Sequence, residues 1–159
     1  MEKNYLSRSK EETIELGNYI AKYLFKGSVL TLTGDLGAGK TTFTKGIGKG
    51  LGIDTEINSP TFNICKCYFH KPLSLYHIDA YRLEDVKPEN KNIGLEEYIE
   101  GDGVCIIEWP IFIKEFIDFN DTLNINIHLE KDDIRSISIT STNDKYKELF
   151  IKLGEFKYE

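Results

Sequence analysis

The stretch GDLGAGKT, Gly34 to Thr41, carries the clearest chemistry in the chain. It satisfies the P-loop pattern G-x-x-x-x-G-K-[ST], in which backbone N–H groups curl inward to meet phosphate oxygens. The curl needs left-handed backbone and no obstructing side chain, which Gly37 and Gly39 supply. Lys40 reaches the β and γ phosphates of a nucleoside triphosphate as a point charge, and the Thr41 hydroxyl is available to magnesium. The phosphate-binding set is Gly37, Ala38, Gly39, Lys40, Thr41 and Thr42, helped by the partial positive charge at the start of the helix that follows.

Magnesium keeps several waters and takes one or two carboxylates, so a strand ending in an acid beside the loop is the expected second anchor. Two candidates close apolar runs: Asp79 in LYHIDAY and Glu108 in VCIIEWP. VCII reads as the better buried strand, which favours Glu108 as the metal ligand and leaves Asp79 to orient water or to hold Lys40 and Thr41. The connection SPTF places Thr61 where a hydroxyl can reach the γ phosphate and let go after hydrolysis, although a proline-fixed turn explains the same residues. Trp109, the sole tryptophan, belongs either at the mouth of this site or in the core.

The elements that must position these groups are legible in outline. Ser9 and Glu12 have capping-box spacing and open an amphipathic helix that runs to Gly27. SVLTLT is a buried strand leading into the glycine loop. Thr41 to about Leu51 reads as a helix of poor propensity, because each of Gly46, Gly48 and Gly50 costs about 1 kcal/mol relative to alanine. TFNICKCYF and LSLYHIDAY form two strands turned near Pro72, VKPENKN is a polar exposed loop, and IGLEEYIE is a short helix. VCIIE is a central strand, TLNINIHL and IRSISIT form an antiparallel hairpin, and a closing helix begins after Asp144. The pattern predicts an α/β, P-loop NTPase-like fold, a mixed central sheet flanked by helices with antiparallel strands toward the C-terminus.

With 159 residues, residues 1–159 are expected to form a single domain. No apolar run approaches the ~20 residues of a membrane span, and the N-terminal MEKNYLSRSKEET lacks the apolar stretch of a secretory signal. Three cysteines, with Cys65 and Cys67 too close to bridge comfortably, fit a reducing compartment, so a cytoplasmic location is expected. A net charge of -6 disfavours direct binding of a polyanion such as RNA.

In order and separation, GDLGAGKTTF, SPTF, YHIDAYRL, GLEEY and IIEWP closely resemble the bacterial TsaE family, the ATPase component of tRNA threonylcarbamoyladenosine synthesis. The resemblance spans roughly Ser9 to Pro110. It implies a weak, partner-stimulated ATPase with ATP and Mg2+ as cofactors, which joins TsaD and TsaB and meets tRNA only through that complex. It also implies that Lys40 and Thr41 bind phosphate and magnesium, that Glu108 is a magnesium ligand, that Asp79 and Trp109 matter for activity, and that Thr61 is a switch residue. Adenine contacts near the N-terminal helix and a C-terminal segment would fall on Ser9, Thr13 and Arg135.

Two rival readings share the P-loop. A small-molecule kinase closes an arginine-bearing lid over the phosphoryl group, yet the chain has only Arg8, Arg82 and Arg135, none paired in a lid-like segment. A GTPase reads guanine through N-K-x-D, and the nearest match here, NKNI, has no acid.

Overall fold

The chain forms strands β1 (Glu2–Ser7), β2 (Val29–Thr33), β3 (Cys65–Tyr68), β4 (Leu75–Asp79), β5 (Val104–Glu108), β6 (Leu123–Leu129) and β7 (Arg135–Thr140). In the computed structural model, which describes residues 1–60, 63–91 and 94–159, they make one mixed sheet in the order β1-β7-β6-β2-β5-β4-β3. The four central strands β6, β2, β5 and β4 are parallel. β7 and β1 are added antiparallel at one edge and β3 at the other. This is the mixed α/β sheet read from the sequence.

Helices α1 (Lys10–Ala21), α2 (Lys40–Leu51) and α5 (Lys147–Leu153) cover one face of the sheet, where Leu16, Phe43, Ile47, Ile106 and Leu149 share a core. The short helices α3 (Pro88–Lys91) and α4 (Leu95–Ile99), with the 3-10 segment Pro110–Phe116, lie toward the other face, where Ile78, Leu95, Ile107 and Ile113 pack. β5 therefore alternates its side chains between two cores and is buried along its whole length. A continuous apolar run is the signature of a strand covered on both faces.

The low helix propensity of α2 is offset by packing against α1. A Cβ added at Gly46 would stand 2.3 Å from the carbonyl oxygen of Ile14, and one at Gly17 would stand 2.6 Å from that of Phe43. Hydrogen in place of a methyl at these points lets the two backbones touch. α1 thereby becomes a strut for the helix that begins at the phosphate loop.

Four local expectations are corrected. α1 ends at Ala21 rather than Gly27, because the next amides of Tyr23 and Leu24 bond three residues back and tighten the chain into a turn. VKPENKN is no simple exposed loop: it contains α3, and Lys91 is buried, donating from Nζ to the Phe112 carbonyl at 2.5 Å. β1 was not anticipated, since its half-exposed edge position lets polar residues alternate with Tyr5 instead of forming an apolar run. The last helix starts only at Lys147, after a 3-10 turn in which Tyr146 is fully buried.

Candidate functional site

β2 is the central pivot of the site. Its residues Leu30 to Thr33 pair with β6, while Val29 to Leu32 pair with β5, so Leu32 lies in register with Glu108. The chain leaves β2 into the glycine loop and enters α2 at Lys40, with Gly39 as N-cap at φ 109°. That left-handed conformation suits glycine and turns the first amides of α2 toward the loop. One register position further across the sheet, Asp79 stands opposite Glu108. Parallel strands that stop at the same level thus bring two carboxylates, 29 residues apart in sequence, to the mouth of the loop.

These residues line one cavity of about 340 Å³ with Lys10, Leu36, Gly37, Gly39, Thr41, Thr42, Ser59, Trp109 and Arg135 among its walls. Ala38 is buried behind the loop. Its carbonyl accepts from Arg135 Nε at 2.9 Å, while Arg135 Nη1 donates to the Asp133 carbonyl at 2.8 Å. Arg135, at the start of β7, braces the loop at Ala38 while lining the cavity.

Lys40 is 6% exposed, and its ammonium donates to the carbonyl oxygens of Gly34 at 2.6 Å and Asp35 at 3.1 Å. It also lies 4.6 Å from the centroid of the Trp109 ring, within range of a cation–π attraction. Desolvation lowers the Lys40 pKa, and the negative charges of Glu108, Asp79 and Asp35 partly oppose that shift. A phosphate would give this desolvated ammonium a direct anionic acceptor in place of the two neutral carbonyls.

Burial raises the Asp79 pKa, with the Glu108 charge adding to it, while a hydrogen bond from the Tyr81 amide works the other way. That amide donates to Oδ1 at 3.1 Å, and the Ser59 hydroxyl donates to Oδ2 at 3.4 Å. Asp79 therefore links the end of β4 to the start of SPTF. Thr61 itself lies outside the described residues.

Glu108 is 4% exposed and shares a 2.5 Å hydrogen bond between its Oε2 and Nε2 of the fully buried His77. Trp109, the next residue, adopts φ 56° and ψ 51° just before Pro110. A non-glycine residue in this region stores on the order of 1–3 kcal/mol of strain, a cost that surrounding packing must hold in place. The indole stacks on Phe112 at 5.9 Å and tilts against Tyr81 at 5.1 Å. It forms a wall of the cavity rather than part of the fully buried core.

Ser9 and Thr13 lie apart from this wall. Ser9 caps α1 by accepting from the Glu12 amide, and Thr13 is fully buried with its hydroxyl against those of Ser7 and the Ser9 carbonyl. Both hydroxyls are engaged in shaping the start of α1. Conversely, the sequence reading missed His77 and Ser59 as partners of the two carboxylates. The period-two alternation of β4 held a signal for His77, which shares a face with Asp79 two residues on.

Magnesium favours hard oxygen donors, and the Thr41 hydroxyl with the carboxylates of Glu108 and Asp79 offers that donor set in one cavity. The residues present thus fit such an ion beside a bound triphosphate.

Comparison with known proteins bears on the same segments. The family model "Threonylcarbamoyl adenosine biosynthesis protein TsaE" matches residues 7–137, which include the loop, both strand-end acids, Trp109 and Arg135. The tRNA threonylcarbamoyladenosine biosynthesis protein TsaE of Bacillus subtilis is 48% identical over 144 residues, covering 91% of this chain and 89% of that protein. Its namesake in Treponema pallidum is 42% identical over 123 residues, covering 77% of this chain and 90% of that protein. The crystal structure of Bacillus subtilis YdiB superposes with a TM-score of 0.83 at 38% identity, covering 98% of this chain and 95% of that one. A P-loop at the end of β2, beside two in-register acids at the ends of β5 and β4, on a chain matched across all of these residues, identifies a member of the TsaE family.

Proposed function

We propose that this chain is a single-domain, cytoplasmic ATPase that binds ATP with magnesium and serves threonylcarbamoyladenosine formation at the tRNA adenosine next to the anticodon, acting with TsaB and TsaD. The observation that carries the reading is the convergence of Lys40 and Thr41 with Asp79 and Glu108 in one cavity. Relatives named as tRNA threonylcarbamoyladenosine biosynthesis proteins supply the pathway. Among the described residues, no helix is long and apolar enough to cross a membrane.

In this reading the loop amides and the start of α2 take the phosphates, and Lys40 exchanges its carbonyl partners for phosphate oxygens. Thr41 and Glu108 would hold magnesium, which when bound would supply positive charge to the triphosphate. Asp79, steadied by Ser59 and the Tyr81 amide, orients a water toward the γ phosphorus. The water oxygen bonds to phosphorus as the bond to the ADP oxygen breaks; its electron pair leaves on ADP and the water's proton passes to a phosphate oxygen, giving ADP and inorganic phosphate.

Turnover by the isolated chain should be slow. Arg135, which lines this cavity, is held by two backbone carbonyls and so is not free to move onto charge that develops in the transition state. Leu36, on the loop and lining the cavity, is 73% exposed and offers an apolar side chain to a protein partner. With a net charge of -6, the chain favours a protein over RNA as its direct neighbour.

The test is the ATPase rate with and without TsaB and TsaD. Stimulation of about tenfold or more supports the proposal, in the range partner-supplied groups can provide. Fast turnover by the chain alone, or a rate unmoved by partners, contradicts it.

A further inference from the structure

We propose that His77 is a positioning residue for Glu108: its Nε2–H fixes one carboxylate oxygen, so that the other is presented to the cavity as a single oriented cation ligand. The inference rests on the magnesium reading of the site.

Three observations carry it. First, the contact is close and dry, with 2.5 Å between Nε2 and Oε2 and both residues buried. Second, the other ring nitrogen, Nδ1, is buried with no hydrogen-bond partner among the described residues. A buried N–H with no acceptor is the rarer and costlier arrangement, so the proton belongs on Nε2, where the carboxylate accepts it. Among the described residues, Glu108 is the group that sets the tautomer. Third, β4 and β5 are in register with His77 beside Ile106 and Asp79 beside Glu108, so His77 reaches Glu108 diagonally from below the site.

Packing alone does not account for a histidine here. Leu75 and Ile106 flank this position in the core, and an aliphatic side chain would fill it without leaving a polar atom orphaned. What the imidazole adds is direction. A glutamate has several rotatable bonds, and holding one oxygen removes freedom that cation binding would otherwise have to freeze. Outer partners of metal ligands do this generally, and their loss typically weakens metal binding by about 10–100-fold.

The experiment is calorimetric binding of a non-hydrolysable ATP analogue to the full chain, in magnesium and in EDTA, with thermal melting alongside. His77→Phe should lose about tenfold or more of the magnesium-dependent gain in affinity while its affinity in EDTA stays at the wild-type value. His77→Gln, whose amide nitrogen falls near the Nε2 position, should restore part of the gain, and His77→Asn, whose amide mimics Nδ1, should not. A Phe variant with the full gain, or one that loses affinity equally with and without magnesium, overturns the proposal. If the Phe variant fails to fold, equal gains in the Gln and Asn variants overturn it instead. A wild-type chain without any magnesium-dependent gain removes the magnesium reading itself, a result distinct from either variant outcome.

Discussion

The Lys40 ammonium lies 4.6 Å from the centre of the Trp109 ring while it donates to the carbonyl oxygens of Gly34 and Asp35. The P-loop lysine is thus folded onto its own loop, under an indole held in place by a left-handed backbone at the end of β5. A phosphate must draw the cation out of this arrangement. The site therefore has a built-in optical reporter, since Trp109 is the only tryptophan.

Adding ATP should change the intrinsic tryptophan emission as Lys40 leaves the ring face. In Lys40→Ala the nucleotide-dependent change should vanish. A variant that kept the wild-type response would place its origin elsewhere.

Lys40→Ala should also separate function from stability. Its ammonium is desolvated and its pKa is lowered, so the native state binds that proton less tightly than the unfolded chain. Folding stability from this group accordingly rises with pH as the lysine loses its charge below its ordinary value of 10.5. Removing the side chain deletes that penalty. Calorimetry should find phosphate affinity lost, while the melting temperature without nucleotide is held or raised.

Asp79→Asn makes the complementary case for an acid. Burial raises the Asp79 pKa, so the native state holds the proton more tightly than the unfolded chain. Stability is then greatest with the carboxyl protonated and falls as pH rises from near the ordinary value of 3.8 through the raised one. The asparagine variant lacks this loss. Its stability relative to wild type, measured by urea unfolding, should rise from pH 4 toward neutrality, and a constant difference would count against a desolvated carboxylate. Hydrolysis should fall in the same variant.

Gly46→Ala sets two effects in opposition. Helix propensity alone makes alanine better by about 1 kcal/mol. The new methyl, however, would stand 2.3 Å from the Ile14 carbonyl oxygen, which forces α1 and α2 apart. Overpacking typically costs about 1–3 kcal/mol, and a clash with backbone belongs at the upper end. The variant should melt several degrees lower, at roughly 2–4 °C per kcal/mol for a chain this size. A rise in melting temperature would mean that propensity outweighs the contact.

Trp109→Ala tests the wall against the core. The indole is only partly buried and packs on Tyr81 and Phe112, so its loss should cost modest stability. Nucleotide affinity should be largely kept, while partner-stimulated hydrolysis drops. A collapse of thermal stability would assign the ring a core role.

Much of this was legible in the sequence because it is local. The spacing of Gly34, Gly39, Lys40 and Thr41 fixes a loop geometry within eight residues, and the apolar run of β5 ending in Glu108 announces a covered strand with an acid at its mouth. What adjacent residues cannot encode is which distant strands become neighbours. Pairing across the sheet set Asp79 level with Glu108, turned His77 toward the same carboxylate, and brought Arg135 from β7 onto the Ala38 carbonyl of the loop. The helix contact through Gly17 and Gly46 is of the same kind, since propensity is a property of one helix and close approach is a property of two. Sequence alone determined the groups that meet an anion; tertiary structure decided their partners, because register and packing, which join residues far apart in the chain, fix where each side chain can point.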